Sequence, residues 1–165
     1  MGFIGVYMMV DENTLDSMMK LDGDALFEKV NELEETNEIY TMDKLWDGLH
    51  FLLTGVFASK PIDGNKLSEA IVGVHVFDTN EDDFIACIEN HELPEIVKAL
   101  ENVNKKELEQ KFDPILLKKK KIYPNIWEKD KKDELFIELM NEHNGLLKFY
   151  KKALEKNQHI IYSVF

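Results

Sequence analysis

Asp47 and His50 stand three residues apart in the stretch KLWDGLHFLLTG (44–55), with Trp46 beside them and Thr54 four residues past the histidine. In a helix these offsets put Asp47, His50 and Thr54 on one face. An aspartate that holds one imidazole nitrogen leaves the other free as a general base, and a neighbouring indole can stack on a ligand. The same residues also suit a structural role. Leu45, Trp46, Leu49, Phe51, Leu52 and Leu53 leave the helix almost no wet side. A buried imidazole must then find a partner on each nitrogen or bear the cost of desolvation. These surroundings favour a buried polar pair that ties the helix to nearby backbone and organises a core or pocket floor. On that expectation, His50→Ala destabilises the protein by leaving Asp47 without its partner.

The other reactive side chains form weaker patterns. His75 lies among valines in VGVHVF and is expected to be a satisfied core residue. His91-Glu92-Leu93-Pro94-Glu95 falls short of H-E-x-x-H, because a glutamate replaces the second histidine and Pro94 disfavours helix at Leu93. Cys87 and His91 make one C-x3-H pair with no second pair to complete four ligands. No metal and no cofactor are therefore expected. Cys87 sits in the apolar run FIACI and suits a small buried hydrophobe better than a nucleophile. The glycines of MGFIG lack the phosphate-binding pattern G-x-G-x-x-G, and no G-x-S-x-G, C-x-x-C or kinase signature occurs.

Composition narrows the function classes. The chain has 165 residues, 44% hydrophobic and 32% charged, which suits one globular domain spanning 1–165. Its net charge is −12, and all 20 basic residues are lysines. Bidentate guanidinium clamps on phosphate are thus absent, and the charge opposes nucleic acid and anionic membrane while favouring a basic protein partner. The acid is uneven: residues 1–100 carry −15 and residues 101–165 carry +3. The run Lys118 to Lys121, followed by Tyr123 and Trp127, suits the solvated end of a helix better than a nucleic-acid platform. Apolar runs are too short to span a bilayer, and MGFIGVYMMVDE lacks the pattern of a signal peptide. A cytoplasmic location is the expectation.

These groups must be positioned by a small set of elements. GFIGVYMMV (2–10), VGVHVF (72–77), FIACI (84–88) and the closing HIIYSVF suit strands. Helices are expected after Asp11 or Asn13, over Asp24 to Glu35, from a Thr41 or Asp43 cap to Gly55, and near Leu67. Further helices follow Pro94, Asn104 and Pro114, and a long amphipathic one covers Lys131 to Lys156. Strands at both ends with helices between them predict an α+β fold whose terminal strands share one small sheet packed by several helices.

The segments KLWDGLHFLLTG and LSEAIVGVH, the opening MGFIG and the later IYP resemble the bacterial YfbM-like family, a domain of unknown function. The specific part is W-D-x-L-H-F-x-L-T-G, here Trp46, Asp47, Leu49, His50, Phe51, Leu53, Thr54 and Gly55. The resemblance covers nearly the whole chain and implies a single small α+β domain in a bacterial cytoplasm. It implies no activity, substrate or cofactor. It does point to Trp46, Asp47, His50, Thr54, Gly73, His75 and Tyr123 as residues to seek around any pocket. Two functions remain open. One is a non-catalytic binding module, such as an inhibitor or immunity-type protein for a basic partner. The other is a small-ligand binder or enzyme with a pocket around His50, Asp47, Trp46 and His75.

Overall fold

Strand β1 (Gly5–Val10) is apolar along its whole length, and the reason is that both of its faces are covered. Tyr7 and Met9 face one hydrophobic core, while Met8 and Val10 face another. The computed structural model, which describes residues 2–165, places this strand next to the last one, β5 (His159–Val164). They pair antiparallel with Gly5 opposite Val164 and Val10 opposite His159. The remaining strands are β2 (Ile39–Asp43), β3 (His75–Val76) and β4 (Phe84–Ile88), and the five-stranded sheet has the order β2-β1-β5-β4-β3. All pairings are antiparallel. The fold is α+β, with both terminal strands in one sheet.

Two helices cover one face. They are α1 (Glu12–Met18) and α2 (Gly23–Glu34), which bury Leu15, Met18, Leu26 and Val30 against Ile85, Cys87 and Ile161. Asp11 caps α1 by accepting from the Thr14 amide at 2.8 Å. The other face carries the larger core and the helices α3 (Trp46–Thr54), α4 (Lys66–Val72), α5 (Leu93–Glu101), α6 (Lys105–Lys111), α7 (Pro114–Lys119) and α8 (Lys132–Glu155). Asn65, Asn104 and Asp113 cap α4, α6 and α7 with their side chains. Gly55 ends α3 in the left-handed region at φ 82°, where its amide reaches the Phe51 carbonyl.

Three local expectations are corrected. Thr41 and Asp43 do not cap α3: Thr41 pairs with Val6 in β2, and Leu45 occupies the cap position. β2 is an edge strand with only Met42 buried, so it shows no apolar alternation. Leu93 is helical despite the proline after it, because a 3-10 turn over Asn90–Glu92 leads straight into α5. Val72 belongs to α4 rather than to a strand, and regular pairing in β3 contracts to His75 and Val76.

Gly48 in α3 lets the six-membered ring of the buried Trp127 approach the helix closely. A Cβ added there would meet the ring at 2.4 Å. Trp127 is 1% exposed and held by its Nε1 hydrogen bond to the Ile122 carbonyl at 2.7 Å, so the ring has little room to yield. Alanine would gain about 1 kcal/mol of helix propensity, and overpacking costs about 1–3 kcal/mol. Gly48→Ala is therefore expected to lower stability, as a fall in the urea unfolding midpoint. An unchanged or raised midpoint would show that the ring moves aside.

Candidate functional site

Asp47 and His50 do not bond to each other. Asp47 is 7% exposed, and its two oxygens accept from backbone amides on separate loops: Oδ1 from Ala58 at 2.8 Å and Oδ2 from Tyr123 at 3.0 Å. It is the second residue of α3, where the positive end of the helix dipole favours a carboxylate. His50 is fully buried. Its Nδ1 lies 2.9 Å from the Val56 carbonyl, which can only accept, so the proton sits on Nδ1. Nε2 then accepts from Ser68 Oγ at 2.8 Å, and that hydroxyl in turn accepts from the Ile62 amide at 3.0 Å. Thr54 Oγ1 bonds back to the His50 carbonyl at 2.7 Å. Burial holds the imidazole below its ordinary pKa, against the opposing pull of the Val56 carbonyl and Asp47. A neutral ring with both nitrogens engaged and no exposed surface cannot reach a substrate.

Together these contacts pin the loop between α3 and α4 and the loop after α7. The first of these loops borders a cleft, and the second meets it through Tyr123 beside Trp46. One hollow, about 280 Å³, is lined by Trp46, Ala58, Val72, Phe84, Tyr162 and Val164. A second, about 360 Å³, includes Ile62, Asp63, Ser68, Glu69 and His75. The two share Pro61, Val72 and Phe84, so the surface runs from an apolar end at Trp46 to a polar end at His75. Trp46 is anchored by its Nε1 hydrogen bond to the Phe3 carbonyl at 3.0 Å, and its ring lies 5.4 Å from that of Tyr123.

Of the residues singled out in the sequence, Trp46, Asp47 and Tyr123 therefore cluster at one end of α3, and His50 and Thr54 at the other. His75 stands apart. It is exposed on the edge strand rather than buried in a core, with Nε2 2.8 Å from Glu92 and 3.6 Å from Glu89. Gly73, at φ 85°, ends α4 where a Cβ would meet Ala86 at 2.8 Å. Sequence reasoning missed Ser68, in the first turn of α4 between Leu67 and Glu69, and the lining residues Phe84 and Tyr162. Cys87 is fully buried, and desolvation pushes its thiol up to about 12, which leaves it inert.

His50 ties stability to pH. Its folded-state pKa lies below the ordinary value of about 6.5, so only the unfolded chain gains a proton as pH falls past that value. Stability is thus full above about pH 6.5 and declines below it, by at most about 1.4 kcal/mol per pH unit for this group. His143 is depressed by burial with the same sign. His50→Gln should lower stability by about 1–3 kcal/mol at neutral pH and flatten the loss between about pH 7 and 5.5. Urea midpoints measured across that range check both; an unchanged slope would place the proton uptake elsewhere.

The whole chain has relatives of similar length. No helix among the described residues is long and apolar enough to cross a membrane. It is 27% identical over 162 residues to Protein YfbM of Escherichia coli strain K12, covering 98% of this chain and 97% of that protein. The crystal structure of YfbM, a protein of unknown function from Escherichia coli, superposes with a TM-score of 0.86 at 25% identity, over 98% of this chain and 99% of that one. The profile of a domain of unknown function, DUF1877, matches residues 1–163, and the chain belongs to that YfbM-like family.

Proposed function

We propose that this protein is a non-catalytic binding module that docks a basic protein partner on its α1–α2 face, as an inhibitor or immunity-type protein would. The observation that carries this reading is the placement of the charge. Residues 11–35 and 78–83 hold 13 carboxylates against Lys20 and Lys29, a net −11 out of the −12 of the whole chain. The two segments adjoin: the Gly23 amide bonds to the Asp78 carbonyl at 3.2 Å, and Asn80 Nδ2 to Asp24 at 2.6 Å. The lysine-rich helices α6 to α8 lie across the sheet, so the molecule is electrically polar through its thickness. Such a field steers a basic protein toward one face and orients it on arrival.

A second reading rests on the cleft. Its apolar end suits a small, flat, apolar molecule held between Trp46 and Phe84. That reading gains weight over the first if no stoichiometric protein partner is found.

The test is capture of the tagged protein from lysate of its source at low and high salt, beside the variant Glu28→Gln/Glu32→Gln/Glu35→Gln. These three side chains are exposed on or just after α2 and make no contact with the cleft. One basic protein, retained by the native protein at low salt and held about tenfold more weakly by the variant, is the expected result. A partner that binds the variant equally well, or binds regardless of salt, would contradict the acidic-face reading.

A further inference from the structure

We infer that His75, Glu89 and Glu92 form a three-ligand site for a divalent metal ion of the zinc class at the polar rim of the cleft. The inference goes against the sequence expectation of no metal, and it does not depend on the acidic face. The three residues come from two separate stretches of chain. His75 sits on β3 opposite Cys87 of β4; Glu89 follows β4; Glu92 ends the 3-10 turn. One nitrogen and two carboxylate oxygens, one from each residue, all lie within 4.8 Å of one another. The Nε2–oxygen separations are 2.8 and 3.6 Å. Ligands at about 2.0–2.2 Å from a tetrahedral ion stand about 3.3–3.5 Å apart, so small side-chain adjustments close this set around one.

The carboxylates are aimed by the backbone rather than by each other. Glu92 Oε2 accepts from the Glu89 amide at 2.8 Å, and the Glu89 side chain accepts from the Glu92 amide in return. That reciprocal cap leaves Glu92 Oε1 turned to His75. A single imidazolium would neutralise only one of the two carboxylates. Lys66 does not supply the balance, because it lies 2.9 Å from Glu69 and 3.8 Å from Glu95. The nitrogen ligand selects zinc, nickel or cobalt over magnesium and calcium, which take oxygen sets. Three protein ligands leave a coordination position open, and His75, one of the three, lines the cleft.

The experiment is calorimetric titration of the full chain with Zn²⁺ alone in a non-chelating buffer, repeated with Co²⁺ and read by its visible absorption. One saturable equivalent is expected. His75→Ala and Glu92→Gln should each weaken it by about tenfold or more. Glutamine keeps the carbonyl oxygen that caps the Glu89 amide, so this variant removes ligand charge while preserving the turn. His91, 75% exposed and 3.9 Å from Glu89, is the control: His91→Ala should bind as the native protein does. No saturable binding, binding that survives His75→Ala, or binding lost in His91→Ala would each overturn the assignment.

Discussion

The Asp47 carboxylate, nearly buried and with no salt bridge among the described residues, takes backbone amides from two loops that are far apart in sequence. Each hydrogen bond to a charged acceptor is worth about 1.5–3 kcal/mol, and losing both would strand a desolvated charge at the head of α3. The arrangement thus works in both directions. The loops are held because the carboxylate needs them, and the carboxylate can be buried because two amides and the helix end satisfy it. His50 repeats the pattern one turn later, gripping Val56 directly and Ile62 through Ser68. With these contacts the rim of the cleft becomes part of the core of the protein.

The rest of the molecule can be seen as a division of labour across the sheet. One face carries the helices that build the large core, including the α3 anchor and the cleft. The other carries a thin pair of helices that buries a small core and, together with residues 78–83, holds a net −11 of the chain's −12. Burial on both faces of β1 and β5 explains why these strands are apolar without alternation. It also lets the α1–α2 surface change without disturbing the cleft, whose lining lies on the side of the larger core.

Much of the fold was legible because it is written in local chemistry. Asp11, Asn104, Pro114 and Gly55 mark helix ends through requirements of their own backbone, whatever surrounds them. The long stripe of α8 is equally plain in Leu135, Leu139, Leu146 and Phe149. The edge strand β2 was not legible, since water on one side and one buried residue leave no pattern. The partners of Asp47 were invisible for a different reason: they are main-chain amides, which every residue but proline possesses. Proximity in sequence suggested His50, and a buried helix did follow, but the pair never meets. His75 and Glu92, separated by 17 positions, come together only because β3 folds back on β4.

Amide hydrogen exchange on the native protein and on Asp47→Asn tests the anchor most directly. Asparagine keeps one accepting oxygen but turns a donor toward the second amide, so one of the two loop contacts must fail. The account predicts that Ala58 and Tyr123 are both protected in the native protein, and that at least one loses protection in the variant. The amides of α1 and α2 should keep theirs. Unchanged protection at both loop amides would contradict the claim that Asp47 holds the rim of the cleft.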